Sequence, residues 1–239
     1  MARQMNGPER INESAGVSGA EPQRPGGRGV QELSAADVHA AGSALALAFE
    51  TDPHMQWIFH DTARRLARLQ RMWTMLIERA WLERGSCHIL EYQAGACIWL
   101  PPHDWQMSLA AQARTVLPLA ASIRDALPRL LWVHFFNDHK HPREPAHWYL
   151  ATIGVAPAWQ GRGYGQALLE PVLRRCDQDR VPAYLEATSP RNRAFYERNG
   201  FEAIEQCTYA RGAITTWRMW REPTSSHGQP IAARSPYFT

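Results

Sequence analysis

The sequence predicts an α/β fold in one domain, a mixed central β-sheet flanked by helices, on three observations. From residue 147 the chain runs strand, helix, strand, helix and then a hairpin, the order of a mixed sheet with a crossover helix. The stretch HWYLATIGV (147–155) is almost wholly apolar, as in a strand covered on both faces. At 239 residues and 45% hydrophobic content, the chain has the material for a single core of ordinary domain size.

Order is expected from Val30 onward. GVQEL suits a short strand, and Ser34 suits an N-cap with Asp37 in the first turn. Val38, Ala41, Leu45 and Phe49 then recur at helical spacing over residues 35–50. A proline ends that helix within TDPHMQWIFHD, whose Trp57 and Phe59 look exposed. A second helix is expected over 61–84, with Leu66, Leu69, Met72, Trp73, Leu76, Ile77 and Trp81 on one side and Gly85 at its end. SCHILEY and ACIWLPP make a hairpin, closed by Pro101 and Pro102 because neither can donate to a ladder. Residues 103–140 read as helices interrupted by Pro118 and Pro128, and HKHPREPAH as a loop. Residues 1–29 read as a disordered leader and 223–239 as a flexible tail, which leaves 30–222 as the domain.

Composition excludes several classes. The net charge is +3, with Lys and Arg spread along the chain, so nothing argues for nucleic acid. No apolar run approaches the ~18 residues of a membrane span. The first 29 residues lack the apolar stretch of a secretory signal, so a cytoplasmic location is expected. Cys87, Cys97, Cys176 and Cys207 have neither CxxC spacing nor a nearby histidine pattern suited to zinc, and they are expected as buried free thiols. His139, His141 and His147 lie in or beside a loop, and no metal site is expected there.

The informative segment is VAPAWQGRGYGQALL (155–169). Glycine is a poor helix residue, yet Gly161, Gly163 and Gly165 stand where a helix begins. A helix N-terminus leaves backbone N–H groups unpaired and its dipole favours negative charge, so bare backbone there suits a phosphate. Gln160 and Arg162 can add side-chain donors. Competing phosphate loops fail on spacing. The Gly-Lys-Ser/Thr of a P-loop is absent, and a dinucleotide fingerprint from Gly163 and Gly165 needs a small residue where Leu168 stands. Pro171 lies inside the expected helix. A bend rather than an end is expected there, because Val172, Leu173 and Cys176 continue the stripe of Leu168 and Leu169.

The pattern Gln160-x-x-Gly163-x-Gly165 follows a strand ending IGVAP, and YLEATSPRNRAFYERNGF comes after it. In this order and spacing the sequence resembles the GNAT superfamily of N-acetyltransferases. The upstream AFETDPHMQWIF and GACIWLPP and the closing TTWRMWRE resemble its puromycin-acetyltransferase-like branch. The resemblance covers 33–222 and is strongest over 147–202. It implies a GNAT fold with splayed central strands, acetyl-CoA as acyl donor, and direct transfer to an amine. It also implies that backbone around Ile153 and Val155 binds the pantetheine arm. By the same resemblance, Gln160, Gly161, Arg162, Gly163, Tyr164 and Gly165 hold the diphosphate, and Asn192 bonds the pantetheine or phosphate end.

SPRNRAFYERNG reads as a well-punctuated helix, with Ser189 as N-cap, Pro190 at the first position and Asn199-Gly200 as the stop. Asn192 and Tyr196 are four apart and share a face, with Phe195 turned to the core. The resemblance implies that Tyr196 aims its hydroxyl at the cofactor sulfur. A phenol with a pKa near 10 keeps its proton at neutral pH and can donate to a departing thiolate.

A protonated amine is no nucleophile, so a base is needed. Glu186 on the second splayed strand is the preferred candidate and His147, at the head of the first, the other; Glu186 could equally pair with Arg193. Trp57, Phe59, Trp105, Trp132 and Phe136 are expected to line the acceptor site. Such walls suit a small-molecule amine with a ring or apolar body better than a lysine-rich peptide tail, while protein N-termini, polyamines, amino sugars and antibiotics all stay open. No nucleic-acid or membrane partner is expected, and the chain is expected as a monomer or homodimer. Two other readings remain: a catalytically silent acyl-CoA-binding sensor or scaffold of the same fold, and a dinucleotide-binding reductase, which the spacing disfavours.

Overall fold

The computed structural model describes residues 29–106, 109–225 and 237. The expected leader, apart from Gly29, and most of the expected tail lie outside the described residues. Seven strands are described: β1 (Val30–Glu32), β2 (Ser86–Leu90), β3 (Gly95–Leu100), β4 (Trp148–Val155), β5 (Ala183–Ala187), β6 (Glu202–Tyr209) and β7 (Ile214–Arg221). They form one sheet in the order β1-β2-β3-β4-β5-β7-β6. All neighbours are antiparallel except β4 and β5. A parallel pair needs a crossover, which α6 (Tyr164–Asp179) supplies.

β4 and β5 pair only at Trp148↔Ala183 and Tyr149↔Tyr184, then splay as the resemblance implies. A bulge accompanies the divergence: Trp99 opposes Leu150 and Ile98 opposes Thr152, which leaves Ala151 as the extra residue. Burial of β4 on both faces holds only in part. Trp148, Leu150, Thr152 and Gly154 are buried, while Tyr149, Ala151, Ile153 and Val155 are half-buried.

The pleat sends alternate β3 residues into two cores. Ala96 and Ile98 join α1 (Val38–Phe49) and α3 (Thr62–Leu76), whereas Cys97 and Trp99 join α6. Several expectations change in detail. Asp52 starts a short helix, α2 (Pro53–Ile58), by accepting from the His54 and Met55 N–H groups, with Pro53 at the start. Phe59, which follows it, is fully buried rather than exposed. The helix expected to reach residue 84 is α-helical to Leu76 and then makes a π-type turn over Ile77–Trp81, and Leu66 points outward.

Neither proline of the 103–140 region interrupts a helix. Pro118 lies inside α4 (Leu109–Ser122), and Pro128 sits in the first turn of α5 (Leu127–Lys140), where its missing N–H has no intrahelical role. α5 extends through the first two residues of the expected loop. α6 runs on through Pro171 as one helix. After Pro223, the Thr224 N–H donates to Asp177 Oδ1 at 2.8 Å and the Tyr237 hydroxyl to the Glu144 carbonyl at 2.6 Å.

Candidate active site

Gly161 and Gly163 adopt φ of +77° and +79°, which a side chain resists. Nothing lies within 4 Å of where a Cβ on Gly161 would stand. Gly165 is small for a different reason: a Cβ there would sit 3.1 Å from the Phe195 ring. α6 begins at Tyr164 without a side-chain cap, and the Ala167 N–H donates to the Gly163 carbonyl at 3.1 Å. The amides of Tyr164, Gly165 and Gln166 therefore lack intrahelical acceptors. Tyr164 is half-buried and edge-on to Trp159 at 5.8 Å.

Two arginines flank this turn. The Arg162 guanidinium lies 5.5 Å from the Trp159 ring centre, and Arg191 Nη2 donates to Gln160 Oε1 at 3.0 Å. The Gln160 side chain, expected to add a donor at the phosphate turn, is engaged within the protein. Its Nε2 donates to the Val155 carbonyl at 2.9 Å, which makes it a brace between strand end and helix start. That bond also occupies one backbone group expected to be open, because an unpaired carbonyl at a strand end takes the nearest donor. Ile153 and Val155 lie on β4 past its pairing with β5.

Ser189 caps α7 (Pro190–Glu197), its hydroxyl accepting from the Asn192 N–H at 3.2 Å. Asn192 Nδ2 donates to Thr188 Oγ1 at 3.2 Å, and Thr188 Oγ1 donates to Asp52 Oδ2 at 2.5 Å. Because Asp52 also caps α2, these residues tie the β5–α7 corner to α2. Tyr196, rather than Phe195, is the buried aromatic of α7, at 7% exposure. Phe195 is held half-buried against Gly165. Burial pushes the Tyr196 phenol above its ordinary 10, so at neutral pH it keeps its proton and can donate.

Glu186 lines a small cavity with Phe136, Lys140, Tyr184, Thr216 and Arg218. Its Oε2 accepts from the Tyr149 hydroxyl at 2.9 Å, and its Oε1 is buried without a hydrogen-bond partner. Burial raises the carboxyl from its ordinary 4.5 to about 7, opposed in part by Tyr184, Tyr149 and Arg218. Arg193 does not pair with it, since Glu197 one helical turn away binds Arg193 at 2.7 Å. Arg218 Nε donates to the Tyr184 hydroxyl at 3.1 Å, and its Nη1 bonds Glu205, which Lys140 also meets at 2.9 Å.

His141 and His147 are buried rather than in an open loop. Their Nε2 atoms lie 3.0 Å apart, and His147 Nδ1 lies 2.7 Å from the Pro145 carbonyl. Both ring nitrogens of His147 are thus engaged within the protein, which removes it as a base for an incoming amine. Sequence reasoning missed His141, Tyr149 and Arg218 as neighbours of Glu186. The signal for Tyr149 was its alternation with His147 and Ala151 onto one face of the strand HWYLATIGV.

Of the aromatics expected around the acceptor, Trp105 stacks on His141 at 3.7 Å, while Trp132 and Phe136 pack on Tyr209 at 5.1 and 4.5 Å. Trp57 packs on Trp132 at 5.9 Å, and Phe59 belongs to the core. All four cysteines are buried and free, with the thiols of Cys87 and Cys176 pushed up to about 12 by burial. A thiol held so high is no nucleophile at neutral pH. Among the described residues, no three metal-ligating side chains gather and no helix is long and apolar enough to cross a membrane.

Comparison with known proteins agrees with this fold. Residues 129–201 match the Acetyltransferase (GNAT) family. The chain is 30% identical over 186 residues to an uncharacterized N-acetyltransferase of Schizosaccharomyces pombe, across 72% of this chain and 73% of that protein. It is 46% identical over 89 residues to mycothiol acetyltransferase of Beutenbergia cavernae, across 32% of this chain and 30% of that one. Among solved structures, histone acetyltransferase HPA2 and related acetyltransferase from Corynebacterium glutamicum is similar with a TM-score of 0.60 at 24% identity, over 82% of this chain and 96% of that chain. SsHAT is similar with a TM-score of 0.54 at 17% identity, over 82% and 98%. These two likenesses bear on the fold alone. By its sequence relatives and its splayed mixed sheet, the chain belongs to the GNAT family of acetyltransferases.

Proposed function

We propose that the chain transfers the acetyl group of acetyl-CoA directly to the amine of a small-molecule acceptor. One observation carries the reading: past the last β4–β5 pairing, the start of α6 leaves the amides of Tyr164, Gly165 and Gln166 without intrahelical acceptors, with Arg162 and Arg191 close by. A long donor with a diphosphate beyond its pantetheine arm fits this cradle, since open space faces Gly161 and no side chain caps the start of α6. Acetyl-CoA supplies an acyl thioester whose departing group is a thiolate.

The chain's residues then divide the work. The backbone from Gly161 to Gly165, braced by Gln160, holds the diphosphate, with Arg162 adding charge and Tyr164 packing the turn. Ile153 and Val155 border the pantetheine arm, and Asn192 binds nearer the phosphates. Tyr196 donates a proton towards the sulfur, which its raised pKa allows at neutral pH. Glu186 takes the proton of the acceptor ammonium, a role that suits a carboxyl half-ionised near pH 7. Buried, unreactive thiols support transfer without an acyl-enzyme.

Phe136 and Tyr184 beside Glu186 favour an acceptor with a ring or apolar body, in keeping with the upstream motifs that resemble the puromycin-acetyltransferase-like branch. The test is thiol release from acetyl-CoA across arylalkylamines, amino sugars, polyamines and peptides. Release with small ring-bearing amines is expected. Tight binding of acetyl-CoA with no release across the panel would overturn the enzyme reading in favour of a silent binding protein.

A further inference from the structure

We propose that His141 and His147 form a positioning dyad that fixes where Glu186 holds the proton taken from the acceptor. The proposal rests on the reading of Glu186 as the base. The hydrogen-bond directions follow from one group that can only accept. The Pro145 carbonyl is that group, so His147 Nδ1, 2.7 Å away, carries a hydrogen. In the neutral ring His147 Nε2 is then a lone pair, and His141 Nε2, 3.0 Å from it, is the donor. That leaves a lone pair on His141 Nδ1, the atom that faces Glu186 Oε1 at 3.9 Å. Oε1 is the carboxyl oxygen with no hydrogen-bond partner, while Oε2 is oriented by the Tyr149 hydroxyl.

An ionised Oε1 therefore meets a lone pair, and a protonated Oε1 meets an acceptor. Closing the gap by about 1 Å makes an O–H···N bond of ordinary length. In the step, the ammonium R–NH3+ gives one proton to the carboxylate. The N–H electron pair stays on nitrogen as the nucleophilic lone pair, an oxygen pair forms the new O–H bond, and two charged groups become two neutral ones. His141 itself stays neutral. It is stacked on Trp105 and edge-on to Tyr149 and Tyr184 at 4.7 Å each, and burial with nearby cations pushes it to about 2.

The charged and titratable groups around the dyad come from several elements. Arg218 of β7, Arg143 and His147 act on His141, and His103 and Glu144 act on His147. Tyr149 of β4, Tyr184 of β5 and Arg218 act on Glu186, and Asp138 of α5 acts on Tyr149.

The test is the acidic limb of the kcat/KM profile in the wild type, His141→Gln, His147→Leu and Glu186→Gln. A glutamine at 141 can turn an N–H towards Oε1. Leucine at 147 removes the acceptor that holds the His141 hydrogen on Nε2, which frees Nδ1 to donate. Either change favours the carboxylate, so the limb should move down by about one pH unit or more. The weaker base should lower kcat by about tenfold, with KM for acetyl-CoA within about twofold of wild type. His147→Leu leaves every contact of Glu186 in place, so a structural role alone would not move the limb. If the limb survives in Glu186→Gln, the base reading itself fails. If Glu186→Gln loses the limb while the histidine variants leave it unchanged or raise it, the dyad fails and the base reading stands. Imidazole 15N shifts of the wild-type protein at about pH 8 give an answer that needs no variant. They should place hydrogen on Nε2 of His141 and Nδ1 of His147, and the reverse tautomers or a charged His141 would overturn the proposal.

Discussion

Replacing Glu186 by glutamine should stabilise the fold at alkaline pH and leave it almost unchanged at acid pH. The carboxyl protonates at about 7 in the folded chain and at its ordinary 4.5 when unfolded. Between these values the folded state binds more protons, so stability falls as pH rises through the interval and is flat on either side. Below it the residue is a neutral acid in both states and costs nothing extra. Above it the fold carries a buried carboxylate. At about 1.4 kcal/mol per pH unit, the interval is worth about 3 kcal/mol. Glutamine suits the site, since its oxygen can accept from the Tyr149 hydroxyl and its amide can turn towards His141 Nδ1. Urea unfolding followed by tryptophan fluorescence, at about pH 4.5 and about pH 8, measures the difference. The variant should match the wild type at the lower pH and exceed it by about 3 kcal/mol at the higher. Equal or lower stability at pH 8, or a difference that does not vary with pH, would refute the reasoning.

Tyr196→Phe should lower kcat by about a hundredfold while leaving acetyl-CoA affinity within about twofold, read by steady-state kinetics and calorimetry. Gly165→Val forces a side chain into the Phe195 ring and should destabilise by about 1–3 kcal/mol, seen as a lower melting temperature. Gly161→Ala, with open space around it, should cost only the backbone strain of about 1 kcal/mol. Thr188→Val severs the link from Asp52 to Asn192 and should cost about 1–2 kcal/mol in urea unfolding.

The parts legible in the sequence are those fixed by local chemistry. Ser189 and Pro190 start α7 because a hydroxyl cap and a missing N–H both suit a helix entrance. Gly161 and Gly163 mark the turn into α6 because few residues accept a left-handed backbone. Asp52-Pro53 carries a similar entrance signature for α2, although a proline after a helix reads first as a stop. The rest depended on partners distant in sequence. The bulge at Ala151 comes from a mismatch with β3, which no pattern within β4 announces. The Glu186 site needed β4, β5, β7 and the segment after α5 together, so His141 read as a loop residue until its ring was placed between Trp105 and His147. Gln160 looked like a free donor for the same reason. Its acceptor, the Val155 carbonyl, lies past the last pairing of β4 with β5, so a side chain rather than a strand takes it.

The central claim, that the start of α6 and the open side of β4 receive the acyl donor, is tested most directly by backbone amide shifts during titration with acetyl-CoA. The largest changes should fall on Gly161 to Gln166, with further changes at Ile153 and Val155. Saturable binding that leaves the amides of that turn unmoved and perturbs another face of the sheet would contradict it.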